Sequence, residues 1–321
     1  MKSQPSAAAL SSDLYAPTRL SRSLKRKLWA YVFIFPQLVF FLVFTIYPII
    51  MSYVYSLYDW HGIGPLSEFV GLNNFVDLIN DHIFWNAYKN SFIYMAGTVG
   101  LQLPLALLLA ILLNNPKLKA RTFYRTVYFL PVVTTTAVTG AVMQNLFSTR
   151  NGAVNLILMR LGIIEEGINW LSNGELAMWI LIFVGSWKWF GIKMVYWLAG
   201  LQSIPQDLYE AAKIDGANRW NSFRHVTIPL LLPVGAVILL LSIVEGLHAF
   251  DLIKVMTDGG PGFATELVDL YIYRYAFSSI GGGLPAVGYA SAAGIFFGLT
   301  VFFISLVLGW LIRVTNRRKD A

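Results

Sequence analysis

The 321-residue sequence contains no cysteine and only four histidines, and just 13% of its residues are charged. The absence of cysteine excludes disulfide bonds, thiolate metal ligands and a cysteine nucleophile. The histidines are His61, His82, His225 and His248, and they show neither the i, i+4 spacing of a zinc-binding helix nor a cluster of carboxylate partners. We therefore expect no metal site and no metal-dependent catalysis.

A nucleotide-binding loop of the form G-x-x-x-x-G-K-[ST] is also missing. The glycine-rich stretch GGPGFATE at 259–266 lacks both the lysine and the following helix that such a loop needs. No carboxylate pair or Ser–His set is visible, so a membrane enzyme has little support and we expect no catalytic residues. The glycines of GGPGFAT are interpreted as a turn, with substrate contact as the alternative.

The sequence is instead rich in apolar residues. Hydrophobic residues make up 56% of the chain, and its mean hydropathy is +0.60. A helix needs about 20 largely apolar residues to cross the hydrocarbon core of a membrane. Six such segments predict an all-α membrane protein with six transmembrane helices, at 28–51, 92–113, 127–147, 176–200, 230–250 and 288–312.

Three regions follow from these segments. Residues 1–27 are predicted to be a disordered cytoplasmic tail, because their first part is rich in Ser, Ala and Pro. Residues 28–312 are predicted to form the transmembrane domain, and residues 313–321 a basic cytoplasmic tail.

The basic residues indicate an orientation in the membrane. Seventeen of the 24 Lys and Arg residues lie in the N-terminal tail, the loops at 114–126 and 200–228, and the end of the chain after residue 312. Only five lie in the alternate loops. Because cytoplasmic loops carry the excess of Lys and Arg, both termini are predicted to be cytoplasmic. The net charge of +7 is explained by this topology, and we expect no nucleic-acid partner.

The loop at 200–228 is predicted to form a helix–turn–helix. Ser203 can cap a first helix, Pro205 suits its first turn, and Gly216 supplies the left-handed residue that ends it. Asn218 can cap a second helix, which we expect to end before Pro229. From its composition alone, the loop is equally compatible with a plain interfacial segment.

The order of residues in this loop is a more specific indication of function than its composition. EAA, three further residues and GA at 210–217, with IPLLLP at 228–233, resemble the EAA loop of the permeases of binding-protein-dependent ABC importers. In that family the loop is the coupling helix that docks in a cleft of the cytosolic ATPase, and its Glu and Gly are the most sensitive to change. The coupling residues that the resemblance implies are Glu210, Ala211, Ala212, Asp215 and Gly216.

The resemblance extends over nearly the whole chain, to the carbohydrate branch that contains the larger maltose permease subunit and the glycerol-phosphate permease. It rests on FVGLNNFVDLI at 69–79, RTVYFLP at 125–131, LAGLQSIPQDLYEAAKIDGA at 198–217, DLIKVMTDGGPGFAT at 251–265 and YIYRYAF at 271–277.

This resemblance implies the type I ABC importer permease fold, in the inner membrane of a bacterium or archaeon. It also implies that the chain joins a second, homologous permease subunit to form the pathway for a sugar or sugar-like solute. A cytosolic ATPase dimer would carry the ATP and Mg²⁺, with no cofactor in this chain, and an extracytoplasmic solute-binding protein would deliver the solute.

Three charged residues lie within predicted spans: Lys188 and Lys193 in the fourth and Glu245 in the fifth. A charge at the membrane centre costs about 2.5–3.5 kcal/mol on insertion scales, so such residues usually face protein or water. We expect Lys188 and Glu245 to line one water-accessible cavity. A structural ion pair or a snorkelling lysine is the equal alternative, and Lys188 leaves an anionic sugar possible.

The resemblance to the maltose subunit implies sugar contacts on one face of each of these spans, although the residue types differ from the maltose pattern. Trp189 could stack on the apolar face of a sugar, or serve only in packing. The candidate pathway residues are Lys188, Trp189, Ile192, Ser242, Glu245, Gly246 and Ala249.

A self-contained secondary transporter or channel, coupled to protons or sodium, is the competing interpretation. Such a protein has no use for a segment that docks on an ATPase. The coupling loop therefore favours an ATP-driven importer subunit that does not itself act as an enzyme.

Overall fold

The computed structural model describes residues 19–66, 68–278 and 284–317. In these residues all regular structure is helical, apart from one isolated bridge between Tyr58 and Phe69. The predicted all-α architecture is therefore confirmed.

The first of two units, Met1–Val54, holds the first apolar helix. Helix α1 (Arg19–Phe41) continues through one π-helical turn (Leu42–Ile46) into α2 (Tyr47–Tyr55). The stretch Lys27–Tyr55 has a mean hydropathy of 2.2, and its side chains are mostly exposed. A helix that is apolar all round is typical of a membrane span.

Both predicted tails overlap with helix. At the N-terminus, α1 begins at Arg19, inside the segment predicted as a tail, while residues 1–18 lie outside the described residues. At the C-terminus the last helix extends to Arg317, and residues 318–321 of the predicted basic tail lie outside the described part.

The second unit, Tyr55–Ala321, contains four long helices and a set of shorter ones. In chain order its helices are α3 (Asn73–Asn80), α4 (His82–Asn114), α5 (Arg121–Val133), α6 (Thr136–Leu146), α7 (Ala153–Arg160), α8 (Gly174–Gln202), α9 (Gln206–Ile214), α10 (Arg219–Ser222) with a π-helical turn (Phe223–Thr227), α11 (Ile228–Leu247), α12 (Phe250–Met256), α13 (Val268–Phe277) and α14 (Val287–Arg317).

Within the described ranges, five helices are long and apolar enough to cross a membrane. They are the α1–α2 stretch, α4, α8, the continuous run Arg219–Leu247 and α14. The remaining predicted span, 127–147, which is the third in chain order, is not one straight helix. It is the pair α5 and α6, which meet at an angle of 95°. Counted as one broken span, this pair completes the predicted set of six.

The bend between α5 and α6 has a local cause. Pro131 lies in the last turn of α5 and has no N–H to continue the helical ladder. Thr134 and Thr135 follow with extended backbone, at ψ 148° and 142°. β-Branched residues favour that conformation, so the chain turns here before α6 begins at Thr136.

Helix α8 lies at the centre of the second unit because small residues let its neighbours approach. A Cβ on Gly191 would lie 2.3 Å from the carbonyl oxygen of Tyr128 in α5. On another part of α8, Met194, Leu198 and Leu201 pack against Ala106 and its neighbours on α4. Only glycine fits at the first contact, so α5 and α8 meet backbone to backbone.

Candidate functional site

A cavity of about 550 Å³ opens between α4, α8, α11 and α12. Its volume lies within the range of about 300–1,000 Å³ that is usual for small-molecule sites. Its wall combines one indole ring with hydroxyl, amide and carboxylate groups. The lining residues are Tyr94, Thr98, Gln102, Thr136, Trp189, Ser242, Val244, Glu245, Gly246, His248, Ala249, Phe250, Asp251, Leu252 and Asp269.

Five of the seven candidate pathway residues lie in this wall, namely Trp189, Ser242, Glu245, Gly246 and Ala249. The other two, Lys188 and Ile192, do not line it. The expectation that Lys188 and Glu245 share the cavity is therefore wrong for the lysine.

The acidic side of the wall arises where α11 stops. Helix α11 ends at Leu247, and the next two residues leave the helical conformation, with ψ values of 76° at His248 and 39° at Ala249. Helix α12 then begins at Phe250. This break turns successive polar side chains toward the same space. Gly246 allows the break to sit against α4, because a Cβ there would lie 3.1 Å from Met95.

Glu245 is paired with the lysine that sequence reasoning left out of the site. Lys193 is 1% exposed and donates a hydrogen bond from its Nζ to Oε2 of Glu245, whose side chain is 51% exposed. The buried ammonium is thereby neutralised, as a buried charge requires. About half of the Glu245 side chain remains exposed, and the residue lines the cavity.

Lys188 faces away from the cavity, toward the bend between α5 and α6. Its Nζ donates hydrogen bonds to the carbonyl oxygens of Thr134, at 2.8 Å, and Pro131, at 3.3 Å. It also lies 5.0 Å from the centre of the Trp189 ring. The last carbonyls of a helix have no partner within it and carry the negative end of its dipole. Lys188 therefore caps α5 with a positive charge.

His248 and Asp269 are in contact in the cavity wall, with Nδ1 of the histidine 3.2 Å from Oδ2 of the aspartate, and they form an ion pair when the imidazole is protonated. The hydrogen bond that the imidazole donates to the carboxylate of Asp269 raises the pKa of His248 above its usual value, and burial opposes this rise. The pair ties the end of α11 to the first turn of α13.

The second region of functional interest is the segment between α8 and α11. Gly216 has a φ of +80°, as predicted. The N–H of Ala217 donates to the carbonyl of Ala212 at 2.9 Å, and that of Gly216 donates to Lys213 at 3.1 Å. This is the Schellman pattern that ends a helix at a glycine. Oδ1 of Asn218 accepts from the N–H of Asn221, so the predicted cap of α10 is also confirmed.

Two details of the predicted helix–turn–helix are wrong. Ser203 does not cap α9. Its hydroxyl donates to the carbonyl of Gly200 at the end of α8, and Pro205 takes the position before α9. Pro229 does not end the second helix, because the run Arg219–Leu247 is continuous. The proline lies just after the π-helical turn Phe223–Thr227, where the regular hydrogen-bond pattern is already interrupted.

This coupling segment, 203–227, presents its side chains outward. Helix α9 has no buried residue, and Glu210 is exposed. Ile214 is 86% exposed and Trp220 64% exposed. Exposed apolar side chains beside polar ones are typical of a surface that meets another protein. The candidate coupling residues in it are Glu210, Ala211, Ala212, Asp215 and Gly216.

Residues 102–321 match the family described as the binding-protein-dependent transport system inner membrane component. The chain belongs to this family. The permease fold predicted from the EAA segment is therefore confirmed, and the family is one of multi-pass inner-membrane components rather than ATPases.

Several curated relatives match over most of their length. The lactose transport system permease protein LacF of Rhizobium radiobacter is 37% identical over 86% of this chain and 91% of that protein. The arabinooligosaccharides permease protein AraP of Bacillus subtilis is 35% identical over 88% of each. The trehalose/maltose permease protein MalF of Thermococcus litoralis is 35% identical over 76% of this chain and 82% of that protein.

A solved structure shares the fold. A chain of a bacterial ABC transporter involved in the import of the acidic polysaccharide alginate matches with a TM-score of 0.79 and 26% identity. The match covers 92% of this permease and 98% of that chain. A second structure of an alginate ABC transporter, in complex with an alginate pentasaccharide-bound periplasmic protein, matches equally well, at 27% identity.

The permease also contains an ordered loop at the glycine-rich stretch 259–266, which the sequence analysis interpreted as a turn, with substrate contact as the alternative. Gly259 and Gly262 have φ values of +80° and +54°. The carboxylate of Glu266, which is buried, accepts two hydrogen bonds from the guanidinium of Arg274. Nδ2 of Asn90 donates to the carbonyl oxygens of Ala264 and Glu266, which lie 174 and 176 positions further along the chain. The local pattern of glycines gives no sign of these distant contacts.

A second unpredicted cluster lies at the start of α4. Asp81 caps this helix by accepting from the N–H of Ile83, and it also accepts hydrogen bonds from the hydroxyls of Tyr271, Tyr275 and Tyr289. Burial raises the pKa of Asp81, but these hydrogen bonds outweigh it and leave the pKa below its usual value. One carboxylate thus joins α4, α13 and α14.

Proposed function

We propose that this permease forms, with a second permease subunit, the membrane pathway of an ATP-driven importer for a sugar or oligosaccharide. The observation that carries the proposal is the cavity between α4, α8, α11 and α12, where an indole ring stands beside hydroxyl, amide and carboxylate groups. An aromatic face and several polar groups suit a sugar ring, which has an apolar face and a hydroxyl rim. The sugar-transport relatives support the same solute class.

The coupling segment is the docking surface for a cytosolic ATPase dimer that holds the ATP and Mg²⁺. Its exposed Ile214 and Trp220 offer apolar contact area, and Glu210 offers a charge. The left-handed Gly216 fixes the angle between α9 and α10. A solute-binding protein on the outer side delivers the sugar, in keeping with the complex of the solved relative.

The orientation of this proposal follows the basic residues. Both termini, the loop around Lys119 and the coupling segment lie in the cytoplasm. Since the chain has no cysteine, single cysteines report on this directly. We expect a Lys119→Cys variant to escape an impermeant thiol reagent in intact cells and to react after the membrane is opened. Labelling from outside would reverse the topology.

The transport function is tested by reconstitution. The permease is co-expressed with its second permease and ATPase, purified, and placed in proteoliposomes with the binding protein. We expect the ATPase to co-purify, and the sugar-loaded binding protein to stimulate both ATP hydrolysis and uptake. Uptake driven by a proton or sodium gradient without the ATPase would refute the proposal in favour of a secondary transporter.

A further inference from the structure

Apart from the hydroxyl of Tyr94, the ionisable groups that line the cavity are mostly acidic. They are the carboxylates of Glu245, Asp251 and Asp269, together with the imidazole of His248. Within the described ranges, no lysine or arginine lines the cavity. A solute in this space therefore meets carboxylate groups and no permanent cation.

The two lysines nearby do not change this. Lys188 and Lys193 are each 1% exposed. The Nζ of Lys188 is held by the carbonyl oxygens at the bend of α5 and α6, and that of Lys193 by Glu245. Neither ammonium group is free to meet a solute, since each has its hydrogen-bond partners inside the protein.

The three carboxylates differ in whether they already have a hydrogen-bond or ion-pair partner within the protein. Asp251, in the first turn of α12, is exposed and has no ion pair or side-chain hydrogen bond with any residue that the structure describes. Asp269 shares its charge with His248, and Glu245 shares its charge with Lys193. Asp251 is thus the most available hydrogen-bond acceptor in the wall.

The hydroxyl groups of Ser242 and Thr98 are already committed as donors. Ser242 donates to the carbonyl of Ile238 at 2.7 Å, and Thr98 donates to that of Tyr94 at 2.8 Å, so both bonds stay within their own helices. The charged groups that remain for a ligand are oxygen acceptors, and they lie in the same wall as the ring of Trp189, which is 40% exposed. Such a site matches a ligand rich in hydroxyl donors.

Building on the proposed function, we propose that this cavity admits saccharides without an anionic group and rejects uronates and other anionic saccharides. Hydroxyl groups of a neutral sugar donate to the carboxylates of Asp251 and Asp269. A carboxylate on the ligand would instead lie against these like charges, and like charges in contact oppose binding. In the part of the chain that the structure describes, no lysine or arginine lines the wall to pair such a group, and the imidazole of His248 is already engaged by Asp269. The permease would then differ in substrate class from its solved relative, whose transporter imports an acidic polysaccharide.

The charge preference can be measured without knowing the sugar. Because the chain has no cysteine, a Thr136→Cys substitution places a single thiol in the cavity wall. The reporter is used in the assembled importer, with any partner cysteines removed. It is reacted with cationic, neutral and anionic methanethiosulfonates of similar size, and the rates are corrected for the intrinsic reactivity of each reagent with a free thiol.

We expect the cationic reagent to react about tenfold faster than the anionic one. Adding Asp251→Asn and Asp269→Asn to the reporter should remove most of this ratio. The control is Asp77→Asn, which removes one carboxylate at an exposed position of α3, outside the cavity, and should leave the ratio unchanged. Membrane abundance is measured for every variant. Equal rates, a faster anionic reagent or no reaction at all would overturn the proposal.

The sugar itself supplies a separate reading. Proteoliposomes of the complete importer are offered lactose, maltose and arabinooligosaccharides in parallel with galacturonate and alginate oligomers. We expect uptake of neutral sugars only, and the double aspartate variant should lose part of that uptake. Uptake of the uronates at a comparable rate would overturn the charge selection. If the reagent ratio holds but no saccharide of either kind is transported, the proposed function fails while the charge preference of the cavity stands.

Discussion

The residues around the cavity and those of the coupling segment differ in burial, and in each region the side chains depart from what their chemistry would suggest. Around the cavity, Lys188 and Lys193 are buried and each has partners from another helix. In the coupling segment, Ile214 and Trp220 are exposed, and α9 has no buried residue. The buried lysines thus find their partners within the chain, whereas the coupling segment leaves apolar side chains exposed.

This contrast separates two kinds of damage. A change in the coupling segment should leave the fold intact and impair only what depends on a partner. A change at the buried lysines should impair the fold first, because a buried polar group left without a partner costs about 1–3 kcal/mol. Membrane abundance and transport, measured together, distinguish the two cases.

The largest effect on transport is expected for Gly216→Leu. Holding a leucine at the φ of +80° that Gly216 adopts costs about 1–2 kcal/mol of conformational free energy. This cost is enough for most molecules to adopt another backbone conformation at position 216, which moves α10 relative to α9. We expect uptake to fall about tenfold or more while membrane abundance stays near that of the unchanged protein. Glu210→Ala should act in the same direction by removing a docking charge. Uptake and stimulated ATP hydrolysis are the measurements.

The control for this prediction is Gly162→Leu. Gly162 has a φ of +67° and, like Gly216, has open space where a Cβ would lie, with no neighbouring atom within 4 Å. A leucine there therefore imposes the same backbone strain in the loop after α7, far along the chain from the coupling segment. If both glycine variants lose uptake equally, strain alone explains the loss and Gly216 has no special role in docking.

The next effect is expected for Lys188→Met, which leaves the carbonyl oxygens of Pro131 and Thr134 without their donor. We expect the free energy of unfolding to fall by about 1–3 kcal/mol for each unsatisfied carbonyl. This loss should appear as lower membrane abundance and a lower melting temperature in detergent. Lys89→Met removes an exposed lysine from α4 and serves as the control. Normal abundance combined with failed transport would instead point to direct contact between Lys188 and the solute.

A smaller and more informative effect is expected at the Lys193–Glu245 pair. Glu245→Gln leaves a buried ammonium without its counter-ion and should lower abundance more than Lys193→Met, which leaves a carboxylate that is half exposed. The double variant should recover most of the lost abundance. If the two single losses simply add in the double variant, the pair contributes no coupling to the fold.

The coupling segment could largely be predicted from sequence because its structure is local. A left-handed Gly216 and a capping Asn218 act on residues within about five positions of themselves, and both predictions hold. The errors at Ser203 and Pro229 concern where one helix gives way to the next, which depends on packing as well as on local preference.

The cavity was harder to predict because its contacts join distant residues. The sequence places Lys188 and Glu245 within successive predicted spans, but helical spacing does not say which of two lysines on α8 faces α11. The bend after Pro131 decides this, since its free carbonyls accept Lys188 and leave Lys193 for Glu245. The angle of that bend, and the break after Leu247 that brings Asp251 and Asp269 into the wall, carry no strong signal in the sequence.

The continuous helix Arg219–Leu247 has a mechanical consequence. It begins beside the turn at Gly216 and ends next to Glu245, and its 29 residues span about 43 Å at 1.5 Å per residue. The hydroxyl of Tyr209 forms a hydrogen bond with that of Thr227 at 2.9 Å, so α9 is bonded to the same continuous helix. A displacement of the coupling segment near Trp220 would therefore be transmitted along this helix to Glu245, and the π-helical turn Phe223–Thr227 is the point where the regular helical hydrogen bonding is interrupted on the way.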